Sequence, residues 1–289
     1  MSLLLLGAIP VLHALGYYWV MGNFFSLSIG QLDIADPAIV LQTFLLTKLF
    51  YLPLFIAALF PIALALIFGR TFCSWACPYN TIREWIDRLE KRYFRKHWRK
   101  EHPLTPANNP HPWIYWSIFA CILLILMTFG LPVVGYLSMP GIISTEIIRV
   151  LSGMGVGLEI LIVGIVIASE IVVAKRFWCK YVCPVGATLS LFRTQKTLRL
   201  HHNPSVCDCK GDTQPCHYVC PLNLSPKLEN VYPYCFNCGL CIQICEKTGN
   251  MALTFRFGAG NRPVVSGSYP AGEYCKDCPV SGDVEQRER

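Results

Sequence analysis

The sequence predicts an α-helical membrane protein with a small, cysteine-rich α+β domain after its helices. Hydrophobic residues make up 53% of the 289 residues and charged residues only 15%, below the roughly 25% of soluble domains. Most of the 15 cysteines recur at short spacings, which are typical of metal ligands in a reducing compartment rather than of disulfides. The net charge is +7, and the basic residues cluster in one loop. Such clustering is typical of a cytoplasmic loop in a membrane protein and not of nucleic-acid binding.

Four apolar segments are long enough to be predicted as transmembrane helices. The first contains His13 as its one ionisable residue, and it lacks the basic start and cleavage site of a signal peptide. The fourth carries Glu159 and Glu170, which share one helix face and are either parts of a proton route or interfacial residues. The segments are 2–21, 44–68, 113–134 and 156–174.

The loops between these segments predict the orientation. Nine Lys and Arg residues lie in 70–101, whereas 22–43 has none and 135–155 has Arg149 alone. The positive-inside rule then places 70–101 in the cytoplasm and 22–43 in the periplasm. Four spans put both termini in the cytoplasm, so we expect a multi-pass protein of the bacterial cytoplasmic (inner) membrane.

A nine-residue motif occurs twice, each time at the end of an apolar segment. Arg70-Thr-Phe-Cys73-Ser-Trp-Ala-Cys77-Pro78 is followed 106 residues later, as from Cys73 to Cys179, by Arg176-Phe-Trp-Cys179-Lys-Tyr-Val-Cys183-Pro184. This repetition predicts that the four transmembrane helices form two repeated hairpins, related about an axis along the membrane normal.

Both C-x3-CP motifs are then expected at the same face of the membrane. Residues four apart share one face of a helix, so each motif offers a pair of thiols to one metal centre. The four thiols predict a third metal site, most simply an iron–sulfur cluster; the alternative is that they pack or act as redox-active thiols. They are Cys73, Cys77, Cys179 and Cys183.

The tightest cysteine run, Cys235-x2-Cys238-x2-Cys241-x3-Cys245, is typical of an iron–sulfur cluster. In two-cluster ferredoxins the fourth cysteine of each run binds the other cluster. The sequence therefore predicts two [4Fe–4S] clusters, one held by Cys220, Cys235, Cys238 and Cys241, the other by Cys207, Cys209, Cys216 and Cys245.

Three cysteines remain. Cys121 lies within the third span and is expected to pack. Cys275 and Cys278 could replace an upstream ligand or form a further site with a partner protein. The alternation in Met251–Phe257 predicts a strand. The predicted domains are a transmembrane domain at 1–184, a cytoplasmic ferredoxin-like two-cluster domain at 185–257, and a coil tail at 258–289.

These features resemble the NapH-type membrane ferredoxins, quinol dehydrogenases of periplasmic nitrate reduction, and are similar to the NosR-type carboxy-terminal region and to the MauN proteins of methylamine utilisation. The supporting stretches are Gly22-Asn23, Asp36-Pro37, Leu41-Gln42, and Gly69-Arg70 leading into Phe72-Cys73-x-Trp75-x-Cys77-Pro78. The resemblance implies oxidation of quinol from the membrane quinone pool. It further implies electron transfer towards a periplasmic partner, an iron–sulfur protein or a multihaem cytochrome.

Candidate residues for a quinol site are few. Ionisable groups at membrane depth are costly and often functional, which makes Glu159 a candidate, although an interfacial position explains it equally well. Asp33, Asp36 and Gln42 lie in the predicted periplasmic loop, where a solvated loop explains them equally well. A packed, hydrogen-bonded histidine is the expectation for His13.

Two other functions fit the same pattern. The chain could be a non-catalytic electron-relay subunit of a larger complex, or a factor in the assembly of an oxidase or metallocentre. A cytochrome b is disfavoured, because haem b needs histidine pairs within the spans.

Overall fold

The computed structural model describes residues 20–22, 26–29, 32–93, 109–151, 153, 155–172, 176–203, 215–228, 230–247 and 252–258. Several predicted site residues lie outside these ranges, namely His13, Cys207, Cys209, Cys275 and Cys278. Nearly all of the predicted first span also lies outside them, but Val20–Gly22 forms a strand, so that a helix through Met21 is wrong.

The segment 22–43, predicted as a loop, is largely ordered into strands and a helix. Strands β1 (Val20–Gly22), β2 (Ser26–Ile29) and β3 (Leu32–Ala35) form an antiparallel sheet. Helix α1 (Pro37–Thr47) follows. Its N-cap is Asp36, whose Oδ1 accepts from the backbone N–H of Ala38 at 2.9 Å, a standard way to satisfy the first turn of a helix.

The second predicted span is divided into two helices. Lys48 ends α1 in the left-handed conformation, with φ 54°. Helix α2 runs over Leu52–Phe68, with a proline in its first turn, where the missing N–H of proline is tolerated best. The beginning of α1 and the end of α2 line one cavity, so the two helices form a hairpin.

The first motif follows α2 as the short helix α3 (Thr71–Trp75), and the amphipathic helix α4 (Pro78–Tyr93) comes after it. Helix α5 (Pro112–Phe129) corresponds to the third predicted span and ends at Gly130, whose φ of 65° suits a glycine C-cap. Among the described helices, α5 is the one long and apolar enough to cross a membrane; Pro37–Thr47 and Leu52–Phe68 are shorter apolar helices.

The segment 135–155, also predicted as a loop, is mostly helical. It contains the end of α6 (Val133–Leu137) and all of α7 (Met139–Leu151). Helix α8 (Glu159–Val172) corresponds to the fourth predicted span, and α7 packs against it. The helix pair α7–α8 of the second repeat is therefore equivalent to the pair α1–α2 of the first repeat.

The second motif forms a π-helical turn at Trp178–Val182, followed by helix α9 (Pro184–Leu191). Helix α9 begins at the predicted domain boundary and is buried against α1, α2 and α5. The cysteine-rich region that follows contains strand β4 (Leu198–His202), helices α10 (Pro215–Tyr218) and α11 (Leu240–Lys247), and strand β5 (Leu253–Phe257). The predicted strand in this region is present as β5, antiparallel to β4.

Candidate iron–sulfur sites

The two C-x3-CP motifs adopt matching backbone turns. In the first, the N–H of Cys77 donates to the carbonyl of Phe72 at 3.0 Å, and in the second the N–H of Cys183 donates to Trp178 at 2.9 Å. Each bond spans five residues, wider than an α-helical turn, and such turns recur at functional sites. In both copies the next helix begins at the proline after the second cysteine.

The matched turns bring the four thiols together. Cys73 packs in the same apolar clusters as Cys179 and Cys183, and Cys77 shares a cluster with Cys179. The thiols also interact electrostatically across the repeats, since Cys183 is affected by Cys73, and Cys179 by Cys77. The structure thus places the two predicted pairs at one location.

Burial keeps these thiols protonated in the absence of a bound cation. It raises the pKa of Cys183 to about 12 and that of Cys77 further. Iron binds the thiolate, so cluster binding at this location would release protons. Among the described residues, no three His, Cys, Asp or Glu side chains converge closely enough to hold a single metal ion; a [4Fe–4S] cluster takes one thiolate at each iron and requires thiols at wider spacing.

The second cysteine set surrounds a separate apolar cavity. Cys220, Cys235, Cys238 and Cys241 all line this cavity, together with apolar side chains such as Leu222, Leu224, Phe236 and Phe255. Backbone N–H groups point at two of the sulfurs: Leu224 donates to Cys220 Sγ and Asn237 to Cys235 Sγ, each at 3.4 Å. Hydrogen bonds of this kind stabilise cluster thiolates and tune the potential.

Cys216 and Cys245 lie together outside that cavity. Both pack in a cluster built on Leu200 of β4 and Leu253 of β5, which Cys241 also joins. The described part of the second predicted ligand set is therefore gathered beneath the two-stranded sheet.

Arg70 lies between the two cysteine sites and is 1% exposed. Its Nη1 donates to the carbonyls of Pro233 and Tyr234, at 3.0 and 3.2 Å, and its Nη2 donates to the carbonyl of Cys179 at 3.2 Å. One side chain thus joins the second C-x3-CP motif to the backbone that leads into Cys235. The sequence showed Arg70 as a repeated residue, but nothing in it indicated this contact.

The comparison with known proteins agrees with the repeat. The 4Fe-4S binding domain family matches residues 50–101 and again residues 156–200, with the same offset of 106 residues as the motifs. Each match contains one C-x3-CP motif and ends before the tight cysteine run.

Three relatives extend over more of the chain. The ferredoxin-type protein NapH of Escherichia coli is 25% identical over 84% of this chain and 83% of its own length. The methylamine utilization ferredoxin-type protein MauN of Paracoccus denitrificans is 28% identical over 71% of this chain and 68% of its own. These relatives and the repeated 4Fe-4S binding domain support a NapH-type family of ferredoxin-like membrane proteins for this chain. The regulatory protein NosR of Pseudomonas aeruginosa is 24% identical over 75% of this chain but 30% of its own length. No solved structure matches the chain.

The residues around the cysteines fit negatively charged clusters at both sites. Arg70 and Lys180 are buried, at 1% and 8% exposure, and in the described part of the chain neither forms an ion pair with a carboxylate. The Nε of Arg70 also has no hydrogen-bond partner there. Unpaired buried cations are strongly unfavourable, and a cluster with four thiolates supplies the missing negative charge.

Glu170 is a structural residue in this chain. It is 3% exposed, so it lies inside the protein. Its carboxylate accepts from Tyr79 Oη at 2.7 Å and from the N–H of Trp178 at 2.8 Å, and it lies 3.3 Å from Arg83 Nε. These contacts tie α8 to α4 and to the second motif.

The three quinol-site candidates are not brought together. Gln42 lies within α1, and its Oε1 accepts from the N–H of Gly135 at 3.1 Å, which joins α1 to α6. Glu159 is half-buried at the first position of α8. Asp36 is buried and lines a cavity beside Phe72. Asp36 therefore adjoins the first C-x3-CP motif, and its expected position in a solvated loop is wrong.

Proposed function

We propose that this protein is a membrane iron–sulfur electron-transfer protein that oxidises quinol and passes the electrons to a redox partner. One observation carries the electron-transfer part. Cys73 and Cys179 of the motifs, and Cys220 and Cys235 of the ferredoxin-like region, pack against a single apolar core around Tyr234. The shared core brings the two cysteine sets near each other, which favours electron exchange between clusters bound there.

Three cysteine sets would hold clusters under this proposal. When bound, [4Fe–4S] clusters supply one-electron redox centres. The motif cysteines Cys73, Cys77, Cys179 and Cys183 would hold one, and Cys220, Cys235, Cys238 and Cys241 a second. Cys216 and Cys245 would share a third with Cys207 and Cys209.

The surrounding side chains have separate roles. Tyr115, Tyr234 and Phe236 cover the cysteines and exclude water, which protects a cluster and helps to set its potential. Arg70 fixes the second motif relative to the ferredoxin-like region through its three carbonyl contacts.

Quinol is the proposed electron donor because the chain is of the NapH type and because its helices present apolar surface beside the motifs. Phe60, Leu64 and Phe68 on α2 are 40% to 50% exposed, as expected of side chains that face lipid. One quinol loses two electrons and two protons to give the quinone. The electrons would pass one at a time to clusters held by the cysteine sets, and the two protons would pass to water.

The proposal includes the topology and the partners. Four transmembrane helices in the bacterial cytoplasmic membrane would present the motifs at one face, and electrons would leave towards an iron–sulfur protein or a multihaem cytochrome. The C-x3-CP site would be the step that connects the quinol to the remaining clusters.

Anaerobic quinol titration tests the function. Purified protein in lipid nanodiscs is mixed with a short-chain menaquinol or ubiquinol, and cluster reduction is followed by absorbance and EPR. We expect reduction by quinol to the level reached with dithionite. Reduction by dithionite but by neither quinol would contradict quinol oxidation and favour the electron-relay function.

A further inference from the structure

A large apolar cavity adjoins the first C-x3-CP motif. Its volume is about 660 Å³, within the range of about 300–1,000 Å³ of small-molecule sites. Side chains from three places form its walls: Ile34 on β3, Pro61 and Leu64 on α2, and Phe72 on the motif. Such a lining suits a flat, largely apolar ligand.

The cavity opens along the apolar face of α2. Phe60 and Leu64 line it and are 50% and 42% exposed, and Trp75 lines it and is 74% exposed. Exposed apolar side chains on a membrane helix face lipid, so a ligand dissolved in the bilayer could enter sideways without crossing water.

Asp36 is the one acidic residue among the described residues that line the cavity, and it is 9% exposed. Its Oδ1 accepts from the N–H of Ala38. A buried charge is unfavourable unless it is hydrogen-bonded, and a ligand hydroxyl that donates to this carboxylate would reduce that cost. Burial also raises the pKa of Asp36 to about 7.

Residues beside both cysteine sites line the cavity. Among the lining residues, Phe72 and Ala76 precede Cys73 and Cys77 in the sequence, and Asn237 lies two residues after Cys235. The Nδ2 of Asn237 also donates to the carbonyl of Phe68, at the end of α2, at 3.0 Å. A ring bound in this cavity would therefore be next to two one-electron acceptors.

We propose that this cavity binds the quinol head group, with one quinol hydroxyl donating to the Asp36 carboxylate and the hydrocarbon tail leaving past Leu64 into lipid. This inference rests on the proposed function and adds the location of its substrate. Of the three quinol-site candidates, Asp36 contacts the quinol under this proposal, and Gln42 and Glu159 do not.

Two variants and a matched control test the location. Leu64→Trp fills the cavity, whereas Leu59→Trp adds the same side chain on α2 at a residue that is 63% exposed and does not line the cavity. Asp36→Asn keeps an N-cap oxygen of similar strength but removes the charge. Each protein is assayed for iron content, for reduction by dithionite, and for reduction by a short-chain menaquinol or ubiquinol.

We expect all three variants to retain iron and dithionite reduction. Leu64→Trp should lose reduction by quinol, Leu59→Trp should match the wild type, and Asp36→Asn should need on the order of tenfold more quinol, the loss of one hydrogen bond to a charged group. A photoreactive azidoquinone should label peptides from 60–76 in the wild type but not in Leu64→Trp.

The experiment distinguishes a wrong location for the quinol site from a wrong proposed function. If quinol reduces the wild type and Leu64→Trp equally, or if Asp36→Asn has unchanged quinol dependence, the cavity is not the site although quinol oxidation stands. If the azidoquinone labels a different part of the chain, the cavity is likewise not the quinol site, and lipid occupies it. If quinol does not reduce the wild type, the proposed function fails and this location with it.

Discussion

Arg70 and Arg176 occupy equivalent positions in the two repeats, and each side chain reaches into the other repeat. Arg70 donates to the carbonyl of Cys179, while Arg176 donates to Asn80 and, at 3.0 Å, to Asp87 of the helix after the first motif. The exchange locks the two motifs against each other. The charges differ in one respect: Arg176 is paired with a carboxylate, and Arg70 makes its contacts with carbonyls.

This difference predicts unequal effects on redox potential. An unpaired buried cation stabilises the reduced, more negative state of a nearby cluster. Arg70→Gln should therefore lower the midpoint potential of the clusters more than Arg176→Gln, and Arg70→Lys should lie closer to the wild type. EPR-monitored redox titration of iron-replete proteins measures this. Equal shifts in the two glutamine variants would show that the charge of Arg70 has no special role.

A second prediction concerns the packing against Arg70. A Cβ at Gly186 in α9 would collide with the Arg70 guanidinium, whereas a Cβ at Gly164 in α8 would meet nothing within 4 Å. Gly→Ala normally stabilises a helix by up to about 1 kcal/mol, but overpacking costs about 1–3 kcal/mol. Gly186→Ala should lower the thermal unfolding midpoint and Gly164→Ala should not. The account of Arg70 as a fixed bridge fails if both variants melt like the wild type.

The ferredoxin-like cysteines should separate into two sets. Cys220 lines the cavity formed with Cys235, Cys238 and Cys241, whereas Cys245 packs with Cys216 under the sheet. Cys220→Ser and Cys245→Ser should therefore impair different clusters, which EPR spectra of the reduced proteins distinguish. Loss of the same signal in both variants would contradict the crossed ligand assignment.

The motif cysteines should be required for electron delivery. Cys73→Ser and Cys179→Ser should stop reduction by quinol, because they disrupt the site next to the proposed quinol cavity. The EPR signals of the two ferredoxin-like clusters after dithionite should remain. Cys121→Ser, at an exposed position on α5, is the matched control and should behave as the wild type. Continued reduction by quinol in Cys73→Ser would exclude this route.

The sequence predicted features that depend on local pattern. The repeated motif, the strand at β5 and the apolar helices of the second, third and fourth predicted spans follow from spacing and periodicity. The described part of the chain contains each of them, with shifted ends. Where a span was misjudged, the cause is also local: the left-handed Lys48 and the proline at the start of α2 divide an apolar run that hydropathy treats as continuous.

Other features depend on contacts between distant segments. Asp36 looks like a loop residue, and it is buried because Ala35 of β3 packs with Ala57 and Ala58 of α2. Glu170 is buried because α4 places Tyr79 and Arg83 against its carboxylate. The sequence around Asp36 and around Glu170 does not indicate that either side chain is buried.

Iron and acid-labile sulfide per chain test the central claim, that the C-x3-CP motifs hold a cluster, most directly. The protein is purified anaerobically and measured together with EPR of the reduced form. Three four-iron clusters predict about twelve of each per chain. A value of about eight would confine the clusters to the ferredoxin-like cysteines, leave the four motif thiols a structural or thiol-redox role, and contradict the account.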